Sequence, residues 1–337
     1  MRNRWGTVLC LLVLMFGCAK PAEKNSDSGE QSQNNSADKT LKIAVIPKGT
    51  THEFWKSVHA GAENAAAELG NVEIFWEGPF KESDRQGQIT VVENFITKKV
   101  DAIVLAPLDS QALVDAVQQA HDEGIKVVIF DSGLDDESNI VSYVATDNYN
   151  GGALAARRMA ELLDNKGNAI LLRYTPGSES TEQREKGFLE TMQKEFPDIN
   201  IISDNQYLGT TPEEAFDKAQ QVLSKHRDEV NGVFAVCEPN VMGTLNALKE
   251  LELAEQVKLV AFDPSPEIVK GLAEGTVHGV VLQDPVKMGY TAVMAAVKHI
   301  RGEDVQKRIS TGEAVATPEN MKAERMQALL EPEQFGE

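Results

Sequence analysis

The strongest constraint in this sequence is an alternation. From Leu41 to Ile300, short apolar runs of strand length are separated by amphipathic stretches of helix length. Candidate strands fall at 41–46, 72–76, 102–106, 127–130 and 143–145, then at 169–173, 199–203, 232–236, 258–262 and 277–282. Helical spacing of apolar residues marks 53–69, 85–98 and 111–123, then 150–163, 181–195, 212–225, 241–251, 266–273 and 285–300. Strands alternating with helices predict a parallel sheet covered on both faces. This many strands fit two sheets better than one, so the fold class is α/β with two lobes, the first change of lobe falling near Asp147.

The first unit of that rhythm, 41–69, carries an unusual loop. An apolar strand breaks at Pro47-Lys48-Gly49, and Phe54, Val58, Ala62, Ala65 and Leu69 then recur at helical spacing. Thr50 with Glu53 reads as a capping box. Open α/β sheets bind ligands where the strand's carboxyl end meets the next helix. Lys48, His52, Phe54 and Trp55 stand at that point. An aromatic face can cover C–H groups while polar neighbours take hydrogen bonds, which suits a small polar ligand such as a sugar ring. The competing demand is the core, since the first turn of the helix also needs one of these two aromatics.

Other strand ends carry polar residues too. Asp109, Asp131, Asp147-Asn148, Asp263 and Gln283 each follow an apolar run, and Arg184 lies just inside a helix start. A carboxylate accepts two hydroxyl donors at once, and a guanidinium offers a fixed fork of donors. Asp109 precedes Ser110 and reads as a helix cap, whereas Asp147 and Asn148 suit a cap or hinge as well as a ligand contact. Asp131 and Asp263 end buried apolar strands, where a carboxylate needs partners, so they are expected at a ligand. Thr211-Pro212, Ser265-Pro266 and Asp284-Pro285 combine an N-cap with Pro at the first helical position, and Ser180 with Gln183 reads as a further capping box.

Charge and motifs narrow the function. A formal net charge of −19 argues against nucleic acid, whose phosphates need a basic face. No G-x-G-x-x-G follows the first strand, and no phosphate-binding G-x-x-x-x-G-K-[ST] or nucleophile elbow G-x-S-x-G occurs. The six histidines show no H-E-x-x-H or clustered spacing, and Cys237 has no Cys or His beside it. No catalytic residue, cofactor or metal site is expected, so the chain reads as a binding protein rather than an enzyme.

The amino terminus reads as an export segment. Arg2 and Arg4 precede the apolar run 8–16, which is too short to span a bilayer, and Gly17 then precedes Cys18. A cysteine in that place resembles the bacterial lipoprotein signal, in which it becomes the lipidated first residue; an ordinary cleaved signal peptide is the other reading. The segment 19–40 is almost without apolar residues and is expected to be a disordered tether between anchor and folded part. Of three cysteines, Cys10 would be lost with the signal and Cys18 acylated, leaving Cys237 without a disulfide partner.

Taken together, the ordered blocks resemble the ribose- and galactose-type periplasmic sugar-binding proteins, the substrate-binding components of ABC transporters. The likeness runs from about Leu41 to Gly302 and rests on IAVIPKGTTHEFWKSVHAGAENAAAELG, AIVLAPLDSQAL, VVIFDSGL, VATDNYNGGALAA, EQREKGF, GVFAVCEPNVMGTLNAL, LVAFDPSP and VVLQDPVKMG. It implies two Rossmann-like lobes with parallel sheets flanked by helices, joined by a three-strand hinge. The first lobe would be 41–145 plus about 284–312, the second 146–283 plus about 313–337.

The resemblance also implies roles. Phe54 and Trp55 would stack on the sugar, with Lys48 and His52 as polar neighbours. Asp131, Arg184, Asp263 and Gln283 would bind hydroxyls, and Tyr207 maps loosely to an aromatic site. Cys237, followed by Glu238, stands where the family usually has Asn, while Ser132 and Ala106 replace two more customary polar contacts. Lys48, His52, Glu238 or Glu77 are the candidates to compensate. A cyclitol, a modified or acidic sugar or another polyol fits as well as ribose, and Lys48, His52 and Arg184 would tolerate an anionic group. The implied protein is an exported, lipid-anchored monomer that delivers its ligand to an ABC permease. The same fold can alternatively present a ligand to a membrane receptor or histidine kinase.

Overall fold

A computed structural model describes residues 39–336. The expected signal, Cys18 and nearly all of the tether lie outside the described residues. The first half runs β1 (Leu41–Ile46), α1 (Glu53–Leu69), β2 (Val72–Trp76), α2 (Arg85–Lys98), β3 (Ala102–Leu105), α3 (Val114–Asp122), β4 (Lys126–Phe130) and β5 (Ser142–Ala145). The second runs α4 (Asn148–Leu162), β6 (Gly167–Arg173), α5 (Glu179–Glu195), β7 (Ile199–Tyr207), α6 (Pro212–Lys225), β8 (Gly232–Ala235), α7 (Glu238–Glu250), β9 (Lys258–Phe262), α8 (Pro266–Glu274) and β10 (Gly279–Leu282). The chain then adds α9 (Pro285–Ile300), β11 (Arg308–Ser310), β12 (Ala314–Ala316) and α10 (Glu324–Leu330).

These strands build two sheets of six, ordered β11-β5-β4-β3-β1-β2 and β12-β10-β9-β8-β6-β7. Every pairing is parallel except β10 with β12. The central strands are apolar throughout because both their faces are covered. Along β1, Ile43 and Val45 pack with α1 and α9, whereas Ala44 and Ile46 pack with α2 and α3. Along β6, Ile170 and Leu172 face α6, α7 and α8, whereas Ala169 and Leu171 face α4 and α5.

The chain passes between the sheets three times, after β5, after β10 and after β11. After the second passage α9 packs back on β3, β4 and β5 of the first sheet. Each lobe contains a helix crossing that only glycine permits. In the first, a Cβ on Gly61 would lie 1.9 Å from the Val286 carbonyl oxygen, and one on Gly289 would lie 2.0 Å from that of Val58. In the second, a Cβ on Gly152 would lie 1.9 Å from the Arg184 oxygen, and one on Gly187 would lie 2.0 Å from that of Tyr149. These close approaches fix α1 and α5, two of the helices whose first turns face the cleft.

Local differences from the sequence reading have local causes. The N-caps at Thr211, Ser265 and Asp284 form, each accepting from a backbone N–H three residues on. The capping box at Thr50 does not, because α1 is capped at His52 without a side-chain bond and Glu53 bonds Lys56 instead. The box at Ser180 does not form either, because α5 already starts at Glu179. α3 begins later than expected, since the Asp109 carboxylate accepts from Gln111 and Ala112 and holds a preceding turn. β7 runs four residues further than expected, to Tyr207, as a polar edge strand.

Candidate functional site

The carboxyl ends of the two sheets face each other across a cleft. Its walls bound about 390 Å³ of atom-free space, counted out to its open side, and include Lys48, His52, Phe54, Trp55, Asp131, Arg184, Cys237, Glu238, Asp263 and Gln283. All the sequence-predicted site residues of the folded part therefore meet at one place, except one. Tyr207 lies outside, at the end of the edge strand β7, 40 % exposed and with Arg173 over its ring. Tyr207 rested only on a loose match to the family's aromatic site. The tyrosine that lines the cleft is Tyr174.

Two aspartates hold matching positions. Asp131 follows β4 and Asp263 follows β9, the third strands of their sheets, and both have left-handed backbone, with φ of 61° and 69°. Each donates its N–H to the neighbouring strand, Asp131 to Val144 and Asp263 to Val281. Each carboxylate meets a cation: Lys48 Nζ lies 3.0 Å from Asp131, and Arg184 lies 3.5 Å from Asp263. Gln283 donates to Asp263 at 2.8 Å. Arg184 also donates to Asn148 Oδ1 and to the Val236 carbonyl, and its guanidinium sits 3.8 Å over the Phe262 ring. Asp147 caps α4, and Asp109 caps a turn and pairs with Arg85.

Glu82, from the loop before α2, was not legible in the sequence. Its carboxylate accepts from Trp55 Nε1 and Tyr174 Oη, each at 2.6 Å, and pairs with His52 Nδ1 at 2.8 Å. Trp55 is thereby held by its ring nitrogen and is 3 % exposed, edge-on to Phe54 and Phe130. Phe54 is only half-buried. Glu77, the acid named from sequence as a possible substitute, instead lies half-exposed outside the cleft beside Lys98.

The electrostatics follow from these pairs. Burial works against a charged His52, but the Glu82 carboxylate, with Glu238 and Asp263 behind it, outweighs this and lifts the imidazole to about 9. Burial alone would raise Glu82; the charges of His52 and Lys48 and the Trp55 hydrogen bond hold it at about 2. Burial pushes Glu238 up to about 7 and raises Asp263, and it pushes the Cys237 thiol far above its ordinary range, so that thiol is not a nucleophile. Lys48, His52 and Arg184 each already face a carboxylate. The expected tolerance for an anionic ligand therefore loses its basis, because no cation in the wall lacks a counter-charge.

Contacts across the cleft clasp the lobes. Tyr174 reaches Glu82, and Lys48 donates to Ser180 at 2.9 Å and Ser178 at 3.3 Å. Ser180 N–H donates to Ser132 Oγ, Gly133 N–H to Glu179, and Arg85 to the Pro176 carbonyl. Two acceptors in the wall remain buried without a partner, Glu238 Oε2 and Gln283 Oε1. Unmet buried acceptors call for donors, and ligand hydroxyls supply them. Among the described residues no group of His, Cys, Asp and Glu is placed to hold a metal ion.

The pairs make stability depend on pH in a defined direction. Glu82, lowered from 4.5, stabilises the fold above pH 4.5 and loses that contribution as pH falls through about 2. His52, raised from 6.5, stabilises it fully below pH 6.5 and loses its contribution as pH rises through about 9. Glu238 and Glu185, both raised by burial from 4.5 to about 7, likewise favour the fold below pH 4.5 and cease to do so as pH rises through 7. The melting temperature should therefore rise from pH 2 to 4.5 and decline from there to pH 9. A thermal melt series checks this, and His52→Gln should flatten the limb above pH 6.5. An unchanged limb in that variant would contradict the assignment.

Comparison with known proteins agrees with this architecture. The family description "Periplasmic binding protein domain" matches residues 43–304. The chain belongs to the periplasmic binding protein family. A ribose import binding protein of Bacillus subtilis is 27 % identical over 320 residues, covering 92 % of this chain and 97 % of its own. Among solved structures, a solute-binding protein from Agrobacterium vitis with bound D-fucose is 32 % identical with a TM-score of 0.83, covering 86 % of this chain and 100 % of its own. One from Agrobacterium radiobacter in complex with D-arabinose is 30 % identical with a TM-score of 0.83, covering 86 % and 99 %. These relatives share the two α/β lobes of the family fold.

Proposed function

We propose that this chain captures a sugar or small polyol between its two lobes and delivers it to an ABC permease. The observation that carries the reading is the wall of the cleft. Both lobes supply it, one half-buried phenyl ring stands in it, and Glu238 Oε2 and Gln283 Oε1 wait there for donors. Many convergent hydrogen-bonding side chains beside one aromatic ring suit a small polyhydroxylated molecule. The family membership and the sugars held by similar proteins support the same class.

In this reading the lobes are 41–145 plus about 284–312, and 146–283 plus about 313–337. Phe54 covers the apolar face of the ring. Asp131, Arg184, Asp263, Gln283 and Glu238 take the hydroxyls, while Lys48, His52 and Trp55 hold the acceptors in place. A neutral ligand matches the paired cations. Ligand contacts on both lobes favour the clasped arrangement over an open one, so a permease can recognise the loaded shape. The protein acts as a monomer without catalytic turnover or cofactor.

The test is a thermal-shift and calorimetric screen of the purified protein against pentoses, hexoses, cyclitols and sugar acids. A neutral sugar or polyol should raise the melting temperature, and sugar acids should not. Failure across the whole neutral panel would sink the assignment. We further propose that Cys18 carries a lipid anchor after export. Cells fed a labelled fatty acid should label the native protein and not Cys18→Ala, and the variant should leave the membrane fraction. Label retained in the variant would refute the anchor.

A further inference from the structure

The wall of the ligand cavity has a second face. Phe54, Asp263 and Gln283 also line a second, larger chamber with about 1220 Å³ of atom-free space, counted out to its open side. Its lower wall is the turn Pro264 to Pro266 with Val269, and its opposite wall is the first turns of α1. Its roof is the carboxyl-terminal tail from Leu330 to Gln334.

That tail is clipped down at both ends. Leu330 is buried in the core of the second lobe. Beyond it the chain crosses to the first lobe, where Phe335 N–H donates to the Lys56 carbonyl at 3.2 Å. The Phe335 ring stacks on His59 at 3.7 Å, and His59 stacks on Trp76 at 4.3 Å. Asn64 donates to Glu333 at 3.0 Å. The tail is thus a further strap between the lobes, laid over the chamber beside the sugar site.

Three polar atoms of the chamber wall are buried without a hydrogen-bond partner: Ser57 Oγ, Gln283 Oε1 and Gln334 Oε1. Ser57 is fully buried. Unsatisfied buried hydroxyl and amide groups are costly, and half of the residues around the chamber are apolar, four prolines with Phe54, Val269, Ala273 and Leu330. Apolar walls with a few unmet polar atoms are the mark of a ligand site. A single ring in the inner cavity leaves this chamber and two of its three unmet atoms unused.

We propose that the preferred ligand is a glycoside larger than one ring. Its sugar ring occupies the inner cavity, and a ring-sized aglycone, a second sugar or an aromatic ring, lies in the outer chamber under the tail. Gln283 and Asp263, which line both spaces, flank the linkage. This inference rests on the sugar-binding reading above.

The experiment is calorimetry on the full purified protein. The best-binding monosaccharide of the screen is compared with its methyl glycosides, its phenyl glycosides and disaccharides carrying it at the non-reducing end. At least one phenyl glycoside or disaccharide should bind tenfold or more tightly than the monosaccharide; which of the two gains assigns the aglycone. Ala273→Trp, at an exposed position of α8 on the chamber wall, should remove that gain and leave monosaccharide affinity within twofold. Phe335→Ala, which unclips the tail, should reduce the gain independently. If every glycoside and disaccharide binds no tighter than the monosaccharide, or if both variants keep the full gain, the inference is overturned. If no monosaccharide binds either, it is the sugar-binding reading that fails.

Discussion

Asp131→Ala is expected to remove ligand binding and to weaken the fold at the same time. Its carboxylate and the Lys48 ammonium are each 5 % exposed and 3.0 Å apart. Removing one partner leaves a buried charge unmatched, a loss of about 3–5 kcal/mol in such settings. Alanine at φ 61° adds backbone strain that aspartate and asparagine tolerate better. Asp131→Asn also takes the charge from Lys48 but keeps the shape, a hydrogen-bonding oxygen and the left-handed tolerance, so its stability loss should be smaller than that of alanine. That variant should stay folded yet bind the sugar about tenfold or more weakly, since a hydrogen bond to a charged group contributes about 1.5–3 kcal/mol. Calorimetry with the wild-type ligand decides it. Wild-type affinity in a folded Asp131→Asn would show that this carboxylate only holds Lys48.

Gly152→Ala should be the most damaging single-methyl change in the second lobe. The added Cβ would lie 1.9 Å from the Arg184 carbonyl oxygen, a backbone atom that cannot turn aside. α4 and α5 must then separate, and overpacking costs about 1–3 kcal/mol, with a backbone clash this close at the upper end. The shift also carries Arg184, whose contacts to Asn148, Val236 and Asp263 position it in the cleft. Both the melting temperature and sugar affinity should fall. Gly124→Asn is the control: its φ is 82° with open space around it, so the loss should stay below about 1 kcal/mol. Equal effects from the two substitutions would refute the packing account.

Much of the site was legible because it sits where strands end. Asp131, Asp263 and Gln283 follow apolar runs that could only be buried strands, and Phe54 and Trp55 follow the first of them. Glu82, Tyr174 and Ser180 were not legible. Each enters the site through contacts with another segment, Glu82 with His52, Trp55 and Tyr174, and Ser180 with Lys48. No local pattern marks such partners. The end of β7 was misread for a related reason. An edge strand has only one neighbour and tolerates polar residues, so its hydrophobic pattern stops before its backbone does.

The sequence by itself determined the layers. Runs such as AIVL and GVVL can only be buried on both faces, and the intervening amphipathic stretches must cover them. It also determined the helix starts at Thr211, Ser265 and Asp284, because capping is a bond within three residues. Only the tertiary structure decided how charge is distributed in the cleft. Lys48, His52 and Arg184 look like free cations in the chain, yet each meets a carboxylate brought from a distant strand end or loop. Desolvation and pairing act over a few ångströms in space, and the sequence separation of the partners carries no trace of that distance.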